Sequence, residues 1–178
     1  MMTLRSFYPR KQYDSAYDIP YEKYAAKGVR GVIFDIDNTL VPHGVPADEQ
    51  ALALFKRLRR SGLNTCLMSN NKEPRVASFA KEVDSGYLFK AGKPSPKGYL
   101  KAMELMGTEK GSTLFVGDQL FTDIYGANRA GIYAILVKPI HPKEEIQIVL
   151  KRFLEKPVLY FYRRDLERDS LTVRRRQH

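Results

Sequence analysis

Short apolar runs in this chain alternate with longer stretches in which apolar residues recur every three or four positions. Val32, Ile33 and Phe34 form the most compact run and read as a strand buried on both faces, as inside a parallel sheet. Residues 47–61 predict a helix with Leu52, Phe55 and Leu58 on one face, Pro46 just before it and Gly62 just after. A strand follows at Asn64–Met68, then a helix at Glu73–Val83 striped by Val76, Phe79, Ala80 and Val83. Residues 87–89 read as a short strand, and Ser95 caps a helix over Pro96–Met106 that Gly107 ends. Strands at 113–116 and Tyr133–Val137 flank a helix at 122–130, and a last helix spans 143–154. Strict alternation of strand and helix predicts an α/β three-layer sandwich with a central parallel sheet covered on both sides. The expected organisation is an N-terminal arm (1–28), one domain (29–154) and a C-terminal tail (155–178).

Chemistry gathers where the strands end. The run at Val32 releases Asp35 and Asp37, with Thr39 close behind, into the crevice where open α/β sheets bind ligands. Two buried carboxylates without a partner are costly, so a cation or an electrophile belongs between them, and magnesium with a phosphate is the economical choice. The second strand ends in Ser69-Asn70-Asn71, a hydroxyl and amides suited to phosphoryl oxygens. Lys93 sits in the stiff loop Gly92-Lys93-Pro94, and the strand from Thr113 ends in Gly117-Asp118-Gln119, with Asp123 five residues beyond Asp118. Taken singly these are turn and loop residues. Their order and spacing bring them to one crevice.

Composition narrows the setting. A hydrophobic content of 43% over 178 residues suits one domain with a proper core. No apolar run approaches the ~20 residues that cross a bilayer, and the first residues lack the apolar core of a secretory signal. The single cysteine, Cys66, permits no internal disulfide and fits a reducing compartment, so a cytoplasmic protein is expected. Lys and Arg number 30 against 20 Asp and Glu, and residues 151–178 hold nine basic against four acidic residues. That balance favours anionic partners: a phosphorylated substrate, an anionic membrane surface reached peripherally, or nucleic acid as the weaker choice. A solvated tail is the plain alternative.

In this order the motifs resemble the haloacid dehalogenase superfamily of phosphohydrolases: Asp35-Ile36-Asp37-Asn38-Thr39, then Ser69, then Lys93, then Gly117-Asp118 with Asp123. The flanks are similar to its subfamily IIIA and the YqeG-like branch, related to mitochondrial-type phosphatidylglycerophosphatases. Tyr17-Asp18-Ile19-Pro20, Asp37-Asn38-Thr39-Leu40-Val41-Pro42 and Gly117-Asp118-Gln119-Leu120-Phe121-Thr122-Asp123 carry that second likeness. The resemblance implies a Rossmann-like fold and an aspartyl-phosphate intermediate on Asp35. It makes Asp37 the general acid and base, and has Mg2+ held by Asp35, the Asp37 backbone carbonyl and Asp118. Ser69 and Lys93 would hold the phosphoryl oxygens, Thr39 would brace the loop, Asn70 would offer a backbone N–H, and Asp123 would orient Lys93 or stand behind the metal. About six residues separate Leu40 from the first long helix and about twenty lie between Asn71 and Gly92, too few for a lid, so a capless site is expected.

Three functions fit. The first is a magnesium-dependent phosphatase at a membrane surface, with phosphatidylglycerophosphate as candidate substrate. The second is a soluble phosphatase of a small ester or nucleic acid end, roofed by a second subunit. The third is a basic, non-catalytic RNA- or membrane-binding protein, against which intact Asp35, Asp37, Lys93 and Asp118 weigh. Cys66 reads as a buried thiol, His43 as a loop residue, and Met103 and Met106 as helix packing. Tyr8, Tyr13, Tyr17, Tyr21 and Tyr24 read either as an interfacial patch or as an arm packed on the domain.

Overall fold

The computed structural model describes residues 3–141 and 146–175. Six parallel strands form one sheet: β1 (Lys11–Tyr13), β2 (Gly31–Phe34), β3 (Asn64–Met68), β4 (Gly86–Leu88), β5 (Thr113–Gly117) and β6 (Tyr133–Val137). Their spatial order is β1-β6-β5-β2-β3-β4. Six α-helices accompany them among the described residues: α1 (Tyr21–Ala26), α2 (Glu49–Arg60), α3 (Glu73–Val83), α4 (Pro96–Met106), α5 (Tyr125–Ala130) and α6 (Ile146–Arg175). The chain builds outward from β2 in one direction through β3 and β4, then returns to fill the other side. The order therefore reverses at β2, and the crevice opens beyond its carboxyl end.

β2 is apolar throughout because it meets helices on both faces. Val32 and Phe34 join one core cluster with Phe55 and Leu58 of α2 and Phe79 of α3. Ile33 points the other way, among Tyr99, Ala102 and Met103 of α4, Phe115 of β5 and Ala127 of α5. Cys66, Met103 and Met106 are buried in this second cluster, as ordinary packing. In α2 the buried stripe is Ala51, Leu54, Phe55 and Leu58, while Leu52 is exposed. Phe55 and Leu58 lie on the buried face as expected, whereas Leu52, about 100° around the helix from Ala51, does not.

Three departures from the sequence pattern matter. The N-terminal arm supplies β1, which pairs with β6 in register Lys11–Ile135, Gln12–Leu136 and Tyr13–Val137. Its tyrosines pack rather than form a surface patch: Tyr21 is fully buried and donates to the Ala16 carbonyl, and Tyr17 donates to the Leu40 carbonyl at 2.6 Å. Instead of one helix over 122–130, a π-helical turn at Leu120–Ile124 leads into α5. The helix expected to stop at residue 154 runs on to Arg175 as α6. Glu155, Val158 and Tyr162 line the side of α6 buried on the domain, a stripe that charged neighbours hide in the sequence.

Residues 35–48 after β2 hold no helix, and β4 alone separates α3 from α4. No lid is inserted at either place. Among the described residues, no helix is long and apolar enough to cross a membrane.

Candidate active site

Asp35 leaves β2 with its N–H on the Val116 carbonyl, continuing the pairing with β5. Phe34 lies in register with Leu67 of β3 and Val116 of β5. Asp35, Ser69 and Asp118 therefore leave three adjacent strands at nearly one level. Behind Asp35 the chain folds back tightly: Asn38 adopts a positive φ of 63°, and its N–H donates to the Val41 carbonyl at 2.7 Å. Asparagine tolerates that conformation better than most residues. The fold-back brings the Thr39 hydroxyl within 3.0 Å of Asp118 Oδ1 and 3.5 Å of Asp35 Oδ2.

Lys93 reaches the same place from the loop before α4. Asn70 pins that loop with both ends of its amide, donating to the Lys93 carbonyl at 3.2 Å and accepting the Lys93 N–H at 2.9 Å. The Asn70 side chain is thus committed to placing Lys93. Lys93 Nζ then lies 2.5 Å from Asp35 Oδ1 and 2.7 Å from Asp123 Oδ1. Asp123 stands on the π-helical turn, and its other oxygen accepts the Gln119 N–H at 3.1 Å. Beneath that turn, the Tyr99 hydroxyl faces the Thr122 and Asp123 carbonyls, each at 3.0 Å.

One carboxylate oxygen from each of Asp35, Asp118 and Asp123 lies within 4.8 Å of the others, and all three residues are buried. Burial pushes the Asp35 carboxyl well above its ordinary range; Lys93 opposes this, while Asp123 and Asp118 reinforce it. On Lys93, burial works against the charge, but Asp123 and Asp35 outweigh it and hold the ammonium firmly protonated. Lys93 thus bridges two of the three buried carboxylates, Asp35 and Asp123, while Asp118 accepts the Thr39 hydroxyl. Three hard oxygen donors converging in a buried place fit a divalent cation. Asp123 pairs with Lys93 and also contributes an oxygen to this cluster.

Asp37 stands outside this cluster, beside Asn71 and Arg75. Its Oδ1 accepts the Gly44 N–H at 2.9 Å and Arg75 Nη2 at 3.0 Å, and Asn71 Nδ2 stands 3.4 Å from Oδ2. Burial would raise its pKa, but Gly44, Arg75 and His43 together hold it below the usual carboxylate range. His43 lies at the rim, 3.9 Å from Asp37 and largely exposed. Ser69 is buried, and its hydroxyl oxygen accepts the Asn71 N–H at 3.1 Å. Arg75 is the residue the sequence reading missed. Its available signal was position, in the first turn of the helix that follows Ser69-Asn70-Asn71.

Cys66 takes no part, since burial raises its thiol to about 12. His141 is exposed, and His178 lies outside the described residues.

The model of the haloacid dehalogenase-like hydrolase family matches residues 45–131, a span that begins after Asp37 and includes Ser69, Lys93, Asp118 and Asp123. The chain is 32% identical over 159 residues to "Probable phosphatase YqeG" of Bacillus subtilis (strain 168), covering 89% of this chain and 92% of that one. It is 29% identical over 158 residues to "Phosphatidylglycerophosphate phosphatase 1, chloroplastic/mitochondrial" of Arabidopsis thaliana, covering 78% of this chain and 45% of the longer plant protein. A solved structure from Legionella pneumophila, described as a HAD superfamily (subfamily III A) hydrolase, shares the fold. It has a TM-score of 0.53 at 14% identity, over 67% of this chain and 70% of that one.

Proposed function

The chain belongs to the haloacid dehalogenase-like hydrolases and is a phosphatase, and on that premise we propose a magnesium-dependent phosphomonoesterase acting through an aspartyl-phosphate on Asp35. One observation carries the proposal: Asp35, Asp118 and Asp123 converge within 4.8 Å, with Lys93 joining Asp35 to Asp123. In the first half-reaction the Asp35 carboxylate attacks phosphorus, the bond to the leaving oxygen breaks, and Asp37, after giving up Arg75 and taking a proton from solvent, protonates that oxygen. In the second, water attacks phosphorus of the aspartyl-phosphate, Asp37 takes the water proton, the bond from phosphorus to the Asp35 oxygen breaks, and inorganic phosphate leaves the regenerated carboxylate. Lys93 and Ser69 hold the non-bridging oxygens, Thr39 braces Asp35 against Asp118, and Asn70 keeps the Lys93 loop in place. Magnesium, for which Asp35, Asp118, Asp123 and the Asp37 backbone carbonyl are the candidate ligands, supplies positive charge that offsets the repulsion between carboxylate and phosphate.

The proposed substrate is a lipid phosphate such as phosphatidylglycerophosphate, met peripherally at an anionic membrane. The name of the Arabidopsis relative supports it, as does a site edge without a lid. The outer side of α6 supports it too: Lys156, Arg163, Arg164 and Arg168 are exposed there with Tyr160, Leu154 and Leu166. Basic residues near an anionic leaflet contribute about 1 kcal/mol each. The test is a panel of phosphate monoesters, including phosphatidylglycerophosphate in mixed micelles, with magnesium or with EDTA. The expected result is magnesium-dependent release of phosphate that Asp35→Asn abolishes. Full activity of that variant overturns the mechanism; turnover of small esters with none of the lipid overturns the lipid reading alone.

A further inference from the structure

The C-terminal helix reaches the site through one buried side chain. Glu155 of α6 is 6% exposed, and its Oε1 accepts the Leu120 N–H at 2.9 Å. Leu120 opens the π-helical turn that carries Asp123 and lies two residues beyond Asp118. The adjacent amide, Gln119 N–H, is taken by Asp123 itself at 3.1 Å. Two consecutive N–H groups of the loop between Asp118 and Asp123 are therefore held by carboxylates, one from within the cluster and one from α6. These are donors that a helix start leaves without an internal partner, and negative charge is favourable there. Val158, one turn further along α6, belongs instead to the apolar cluster with Leu120, Ile124 and Ala127.

We propose that Glu155 is a positioning residue: by holding the Leu120 N–H it sets the segment that carries Asp118 and Asp123, and so makes α6 part of the catalytic unit. Removing the acceptor leaves a buried N–H without its partner and frees the loop to move. The loop's amides then exchange faster, and the carboxylate cluster grips a cation less well. Only the cation and turnover readouts rest on the phosphatase reading.

The experiment uses the full chain with Glu155→Met and Glu155→Ala, which remove the acceptor with and without keeping volume. Glu155→Gln keeps a carbonyl oxygen, and Val158→Ala loosens the apolar packing of α6 without removing the acceptor of the Leu120 N–H. Hydrogen exchange of residues 117–124, without metal, should quicken about tenfold in the Met and Ala variants, the factor that ~1.4 kcal/mol gives. The magnesium concentration for half-maximal thermal stabilisation should rise about tenfold, and kcat on p-nitrophenyl phosphate should fall comparably. Gln should restore exchange and magnesium response toward wild type. Val158→Ala should lower Tm while leaving both unchanged. Wild-type exchange in the Met or Ala variant overturns the proposal, as does Val158→Ala matching them. If wild-type protein itself ignores magnesium, the metal reading fails, while the exchange comparison still decides the role of Glu155.

Discussion

Gly117 ends β5 immediately before Asp118, and the space where its side chain would sit belongs to Asp123. A Cβ at this position would lie 2.5 Å from Asp123 Oδ2, 2.7 Å from its Cγ and 2.8 Å from its Cβ. Turning the carboxylate aside is no escape, because the Asp123 Cβ is itself in collision. Lys93 Nζ at 2.7 Å and the Gln119 N–H at 3.1 Å also hold both carboxylate oxygens. Gly117→Ala must therefore shift the turn or break those bonds. Overpacking a tight interior costs about 1–3 kcal/mol, and losing a charge-assisted hydrogen bond about 1.5–3 kcal/mol. A combined ~3–5 kcal/mol corresponds to a fall in kcat/KM of up to ~10²–10⁴ and a drop in Tm on the order of 10 °C for a chain of this size. The assays are hydrolysis of p-nitrophenyl phosphate at saturating magnesium and thermal melting by circular dichroism. A double-mutant cycle isolates the cause: once Asp123→Gly has removed the obstructing atoms, Cβ included, adding Gly117→Ala should cost little more. Activity within about threefold of wild type for Gly117→Ala, or additive losses in the cycle, would refute the steric argument.

Arg75→Ala should lower kcat about tenfold with a modest change in Tm, because Asp37 loses its 3.0 Å partner while Gly44 and Asn71 remain. Arg75→Lys should rescue only in part, since the planar guanidinium also lies over the Phe79 ring; full activity of the Ala variant would remove Arg75 from the site. Truncation after Leu154, which a solvated tail would tolerate, should lower both Tm and turnover of a small soluble ester. It deletes buried Glu155, Val158 and Tyr162, and a burial worth about 1.5–3 kcal/mol for Val158 alone; an unchanged melting curve would show α6 to be dispensable. Glu22 is held down at about 2 by its hydrogen bonds to Arg57. That pair therefore stabilises the fold above the ordinary carboxylate pKa of 4.5 and ceases to as pH falls toward 2. Because it is exposed, Glu22→Gln should cost no more than about 1 kcal/mol near neutral pH and nothing at pH 2, read from urea unfolding at both.

Much of the site was legible because a parallel sheet turns sequence order into spatial convergence. Asp35, Ser69 and Asp118 each directly follow an apolar run, and adjacent strands in register must place such residues at one edge. Lys93 was legible from its stiff loop, although only the structure shows that Asn70 fastens it there. β1 was missed because three residues at the end of a sheet, Lys11, Gln12 and Tyr13, are too few and too polar to show a period. The buried side of α6 was missed because its apolar and acidic stripe is interleaved with arginines.

By itself the sequence determined the alternating parallel fold, the two faces of β2 and the identity of the groups at the strand ends. These follow from side-chain periodicity and from where each apolar run stops, both of which are local properties of the chain. Tertiary structure alone decided which groups hold one another. Arg75 meets Asp37 across 38 positions, and Glu155 meets the Leu120 amide across 35. A pairing of that kind depends on where two helices come to rest against the sheet, and the packing of many side chains sets that position rather than the spacing of any few.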